Sequence, residues 1–413
     1  MFSWPAIPHD HHHFMQPPDP ERPAAFRADA LGANMISADR PATRLATRLA
    51  FLVAGFGVAC WAPLIPYAKA RLAVDDGVLG VLLLCLGIGS VVAMLMTGVL
   101  SARFGCKPII IGGAIGMAVF LPLLAVVSTP LTLGVALFLF GGSLGSLDVA
   151  MNIHAVEVEK ASDRPLMSGF HGLFSVGGFI GSVFAIFLLS VQLGPLPTML
   201  VASALMLLAV VIIAPRLLTT TAAEGGPLFA LPRGFVLLLA VLTAIVFLAE
   251  GAVLDWGALY LTGAGLVGAE HGGMGYMVFS IAMTVMRLLG DAVVGRVGDR
   301  ATLFWGSVIG IVGFAVVLLA PFVAVAMAGF LLVGVGLANV VPILFRKAGS
   351  QKVMPSGLAV TAVTTAGYAG VLLGPAGIGF VAKLTSLPAS LWMLTALMLL
   401  VTLTAGRVAG SKH

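Results

Sequence analysis

Asp148 and Asn152 stand four residues apart inside a long apolar run, so a helix would present both on one face. An ionised side chain in the middle of a bilayer costs about 2.5–3.5 kcal/mol on insertion scales, so it faces a cavity or a partner. His171 lies ten residues beyond the polar break centred on Ala161, and Asn152 nine before it. At a rise of about 1.5 Å per residue, the two reach similar depth on consecutive helices. The three predict one polar cluster, in which Asp148 exchanges a proton and Asn152 and His171 hydrogen-bond a solute. The competing assignment for Asn152 and His171 is polar contact between helices. Asp148 is the only acid well inside the first half, because Asp75, Asp76, Glu157, Glu159 and Asp163 fall in breaks.

The second half offers Glu250, Asp255, Arg287 and Asp291 within apolar runs. Glu250 is the deeper of the first two and is a second candidate for proton exchange. Asp255 precedes Trp256 near a run's end, where an acid and an indole both sit at a membrane interface. Arg287 and Asp291 are four apart, which predicts an internal ion pair along one face. The sharper alternative gives Arg287 to an anionic group of a solute. Trp61, Phe174 and Tyr368 are aromatic candidates for a cavity wall, and His154 carries no functional expectation.

These residues need elements that can hold them, and the composition says which. Of 413 residues, 60% are apolar and only 9% are charged, against about 25% in an ordinary soluble domain. That excludes a soluble enzyme. The net charge is +5, but the basic residues are scattered singly rather than clustered with aromatics, which excludes a nucleic-acid interface. Cys60, Cys85 and Cys106 are too few and too far apart for a disulfide framework or a zinc site. No phosphate-binding Gly-x4-Gly-Lys-(Ser/Thr) loop is present. No catalytic residue, metal or cofactor is expected, and the partners are protons, a small molecule and the lipid bilayer.

From Leu45 onward the chain alternates apolar runs with short polar breaks. A helical span needs about 20 apolar residues. Twelve fit: 45–67, 78–100, 108–127, 131–155, 168–190, 197–217, 235–261, 273–295, 302–320, 322–345, 357–381 and 388–406. Continuous apolar runs favour helices over barrel strands, which alternate in polarity. Of the 22 Lys and Arg, 18 fall on the side of the N-terminus, 3 on the other, and Arg287 lies within a span. The excess of positive charge predicts that both termini are cytoplasmic. Residues 1–44 have no apolar run and predict a disordered tail rather than a signal peptide. The tail's His9, His11, His12 and His13 are assigned to compositional bias ahead of metal binding.

The halves repeat. Arg103, Gly105 and Lys107 follow the second span, and Arg296, Gly298 and Arg300 follow the eighth, 193 residues later. Trp61 and Trp256 are 195 apart, and Phe174 and Tyr368 are 194 apart. The expected organisation is a six-span unit over 45–217, a cytoplasmic linker over 218–234, and a second unit with a short tail over 235–413. Parallel repeats with a site at their interface are a transporter architecture. The pairs Gly141/Gly145, Gly177/Gly181 and Gly370/Gly374 predict close helix approach, and Gly374-Pro375 an interruption of the eleventh span.

On these residues the chain resembles the major facilitator superfamily. Gly98, Leu100, Arg103, Gly105 and Lys107 match its loop signature Gly-x-Leu-x-Asp-Arg-x-Gly-x-(Lys/Arg), with Ala102 at the Asp position and Gly295 at that place in the second copy. The stretch from Gly145 to Asn152 resembles the fucose-permease-like branch, whose acid in this span lines the cavity and takes part in proton coupling. Asp148 occupies that place, whereas Ala62 stands where sugar/proton symporters of the branch carry an Asp in the first span. The resemblance implies an all-α membrane protein of two six-helix bundles, monomeric and multi-pass in the bacterial inner membrane, with gating loops at the two signature copies. It implies a proton-coupled importer of a sugar-like or other polar solute. An exporter of amphipathic compounds, a non-transporting sensor and, more distantly, a membrane-embedded enzyme are the alternatives.

Overall fold

The computed structural model describes residues 40–74, 76–162, 164–219, 231–267 and 274–410. The histidine cluster and most of the expected tail and linker lie outside them. Among the described residues there are helices and no strands. Twelve helices are long and apolar enough to cross a membrane. In chain order the spans are Pro41–Leu64, Val81–Phe104, Cys106–Val126, Pro130–Lys160, Met167–Ser190 and Pro195–Arg216. The second half supplies Phe235–Gly263, Met274–Val297, Asp299–Leu318, Val323–Ser350, Ser356–Leu384 and Leu387–Gly410. Each overlaps one expected run, because a continuous apolar stretch satisfies its own backbone only as a helix.

The spans form two six-helix bundles with the same internal order. Span one packs on five, two on four, and three on four and six. Their counterparts repeat this, seven on eleven, eight on ten, and nine on ten and twelve. Between the bundles, span two meets eleven and span five meets eight, two contacts related by the same duplication. The signature loops also share a backbone. Gly105 (φ 78°, ψ 166°) and Gly298 (φ 84°, ψ 162°) each turn the chain into the next span in a left-handed conformation suited to glycine. Side chains such as Leu403 and Val211, 79% and 70% exposed, point outward as a lipid-facing surface requires.

Small residues bring the tightest pairs together. Gly141 and Gly145 of span four lie against the Leu86 and Ser90 carbonyls of span two, and Gly177 and Gly181 repeat this against Leu52 and Phe56 of span one. A methyl group at any of them would meet backbone. Two expectations about interruptions change. Span eleven runs unbroken through Gly374-Pro375, its helix extending over Ser356–Leu384. A helix tolerates an internal proline where neighbouring groups satisfy the freed carbonyl. Span ten, by contrast, divides into Val323–Leu337 and Val340–Ser350 at Ala338 and Asn339. Pro342 accounts for this. It has no N–H to give the carbonyl four residues back, which is that of Ala338.

Candidate functional site

Span four holds its acid without a counter-charge. Asp148 is 8% exposed, and Asn152 one turn on is buried. The Asn152 amide Nδ2 donates to the Asp148 backbone oxygen at 2.9 Å and to its Oδ1 at 3.5 Å. This fixes the amide, and its Oδ1 is left buried with no protein partner. Among the described residues no ion pair includes Asp148.

Among the described residues the His171 ring does not hydrogen-bond this pair. Its ring lies edge-on between Phe51 of span one, 5.3 Å away, and Phe345 of span ten, 5.5 Å away. Its Nε2 is buried without a partner. Consecutive spans share depth by chain length, but span five packs on one far more than on four, and this turns His171 away from Asp148.

The second bundle holds its acid by a full ion pair. Arg287 Nη2 of span eight donates to Glu250 Oε1 and Oε2 of span seven at 3.1 and 3.3 Å. Its Nε donates to the Ala338 carbonyl at 3.4 Å, the carbonyl Pro342 leaves free. Ala338 closes the first half of span ten, so the cation also sits at a helix C-terminus, where the dipole favours it. Its Nη1 crosses to the other bundle and donates to Ser175 Oγ of span five at 3.2 Å.

The expected Arg287–Asp291 pair is therefore corrected to Arg287–Glu250. Helical side chains lean toward the N-terminus, which carries the guanidinium away from a residue one turn further on. Asp291 Oδ2 instead accepts from the Gly169 N–H at 3.0 Å, at the start of span five in the opposite bundle. Asp255 is exposed, in keeping with its interfacial assignment. Trp61 is buried, and its indole nitrogen has no partner; the same holds for the nitrogen of its repeat mate Trp256. Phe174 is half-buried against the core, as is Tyr368, whose ring meets that of Phe247 edge-on at 6.4 Å.

The bundles are also pinned where spans four and ten end. Glu159 Oε2 accepts from the Leu166 and Met167 N–H groups at 2.6 and 2.7 Å, capping span five. Its Oε1 lies 3.4 Å from Arg346 Nε of span ten, and Arg346 also bonds Asp299. Lys347 completes the chain to Asp299 at 3.1 Å. The expected gating residues sit around this network rather than in it. Arg103 lies over the Phe104 ring at 5.2 Å, and Arg300 runs beside Gly406. No bond of Lys107 or Arg296 to the network is seen among the described residues. The ion pairs use Glu159, Asp299, Arg346 and Lys347, none of them a member of the expected set.

His154 has a structural post. Its Nε2 accepts from the Leu218 N–H at 3.1 Å, which leaves Nδ1 to donate to Thr47 Oγ1 at 3.3 Å in the neutral ring. It ties the start of the inter-bundle connection to spans one and four.

Residues 48–351 match the family profile described as Major Facilitator Superfamily. The chain belongs to the major facilitator superfamily. It is 47% identical over 366 residues to an uncharacterized MFS-type transporter of Yersinia pestis, covering 88% of this chain and 95% of that one. Its structure is similar to that of FucP, the E. coli fucose:proton symporter, in the outward conformation. That likeness has a TM-score of 0.72 at 14% identity, over 90% of this chain and 99% of the other. It is also similar to the proton:xylose symporter XylE, with a TM-score of 0.65 at 13% identity, over 91% and 96%. These distant likenesses establish the fold: a multi-pass transporter fold of two six-helix bundles.

Proposed function

We propose that this protein is a proton-coupled secondary transporter, moving a small polar solute by alternating access with Asp148 as the coupling acid. The observation that carries this is the difference in charge compensation between the two deep acids. Glu250 is paired with Arg287, whereas among the described residues Asp148 forms no ion pair and is hydrogen-bonded by the Asn152 amide. An acid with no cation to release can take up and lose a proton without breaking an ion pair. Protonation then changes which packing of the bundles is favoured, a population shift through differential affinity. The buried polar atoms of Asn152, His171, Trp61 and Trp256 that have no partner among the described residues would serve a hydroxylated solute as acceptors and donors once the bundles part. The proton symporters among the structural neighbours support the same direction.

The excess of positive charge argues for both termini, and with them the Glu159–Arg346 network, on the cytoplasmic side. The bundles are packed together at that end, Val156 against Gly349, so this state is closed to the cytoplasm. Residues 45–217 and 235–413 are then the moving units, in a bacterial inner membrane and in a monomer. The experiment is reconstitution into vesicles with an imposed pH gradient. A panel of sugars, polyols and other polar solutes is screened first by thermal shift, because binding to the folded state stabilises it. Gradient-driven accumulation of a stabilising solute supports the proposal. Binding with no accumulation would identify a sensor.

A further inference from the structure

A cleft of about 320 Å³ opens where spans four and ten end, and both bundles line it. One wall carries Lys160, Ser162 and Arg164, and the other Arg346, Lys347 and Ser350. Two carboxylates, Glu159 and Asp299, complete it, so the lining holds four cations and two anions. Both anions are already engaged. Glu159 holds two backbone N–H groups and Arg346, and Asp299 holds Arg346 and Lys347. Lys160 pairs only with Glu157 at 2.9 Å, with both side chains more than a third exposed, where an ion pair is weak. Among the described residues, no ion pair is formed by Arg164. Ser162 Oγ accepts from Arg44 Nη2 at 3.3 Å, leaving its own proton to donate.

From this excess charge we propose that the cleft binds a phosphate-class anion, either free phosphate or the headgroup of an anionic lipid, and thereby clamps the two bundles together at this end. The lining has four cations and two anions, and with Glu157 set against Lys160 one positive charge stays unmatched, which suits the single negative charge of a phosphodiester headgroup or of monobasic phosphate. Its volume falls at the lower end of the roughly 300–1,000 Å³ range of small-ligand pockets. The walls belong to different bundles, so the site is complete only while this end is closed. A ligand bound there stabilises the closed state by its differential affinity and slows opening. The site lies apart from Asp148 and Arg287 and requires no particular solute or coupling ion.

The test uses the full-length protein in nanodiscs of phosphatidylcholine. Inorganic phosphate is titrated against chloride at equal ionic strength. A second arm replaces part of the lipid with phosphatidylglycerol and omits phosphate. Tm and hydrogen exchange over 156–166 and 346–350 are measured in both. The comparison variant is Lys160→Ala with Arg164→Ala, two surface positions whose loss leaves the Glu159–Arg346–Asp299 network in place. A saturable rise in Tm of about 2 °C, with slower exchange in both segments, is expected in the wild type and at most half of it in the variant. A rise in the phosphate arm assigns the free anion, and a rise in the lipid arm alone assigns the headgroup. No rise in either arm, or an equal rise in the double variant, overturns the proposal.

Discussion

Each bundle carries one acid deep among its spans, and the two are held in opposite ways. Glu250 faces a guanidinium at 3.1 Å, itself steadied by the Ala338 carbonyl and by Ser175 of the other bundle. Asp148 has an amide one turn away and, among the described residues, no ion pair. The difference separates two jobs that one sequence feature, an acid in a span, does not distinguish. A paired acid keeps its charge and fixes neighbouring helices in register. An unpaired acid is free to change its charge as its surroundings change. The duplicated fold supplies equivalent scaffolds, and the position of a single arginine decides which of the two acids is held in an ion pair.

The largest effect should come from breaking the compensated pair. Arg287→Met leaves Glu250 buried without its partner, and such losses cost about 3–5 kcal/mol. Thermal unfolding of the purified protein should show a pronounced fall in Tm, largely restored when Glu250→Gln is added. If the double variant is as unstable as Arg287→Met alone, the pair does not set stability in this bundle.

A smaller effect is expected at span ten. Pro342→Ala returns an N–H that can bond the Ala338 carbonyl, in competition with Arg287 Nε. One hydrogen bond contributes about 0.5–1.5 kcal/mol net, so transport should slow by up to about tenfold while Tm holds or rises. Unchanged transport would mean that the break in span ten is dispensable.

Smaller again is the effect at the cytoplasmic network. Glu159→Gln still accepts from the Leu166 and Met167 N–H groups but loses its attraction to Arg346. The pair is largely buried, but its 3.4 Å contact is long and Arg346 keeps Asp299, so a shift of about 1 kcal/mol toward the open end is expected. Thiol labelling at Val156→Cys should then quicken about fivefold, and equal labelling would remove this ion pair from the gate.

The spans and their duplication were legible because they follow from local rules. Continuous apolar runs must be helices, and charge must collect at one side. Arg103/Arg296 and Gly105/Gly298 carried the repeat in the sequence, and the matching backbone of the two glycines shows why. Partners across helices were not legible. Arg287 and Asp291 share a face, yet the side-chain lean of a helix and the neighbourhood of span seven decide for Glu250. Chain length sets His171 level with Asn152, yet packing on span one turns it toward Phe51. Pro342 was a readable signal for the break at Ala338. It lay in a run whose hydropathy alone argued for continuity, while Gly374-Pro375 gave the same signal in a helix that stays whole. Glu159 and Arg346 looked like ordinary break residues, because their meeting depends on how the bundles close.

If Asp148 carries the proton, Asp148→Asn removes the coupling group and little else. The substitution keeps size and polarity and breaks no ion pair seen among the described residues, so the unfolding free energy should stay within about 0.5 kcal/mol of wild type. Vesicles holding the variant should bind the solute that stabilises the wild type yet fail to accumulate it under an imposed pH gradient. Accumulation at the wild-type level would strip Asp148 of the coupling role and pass it to Glu250.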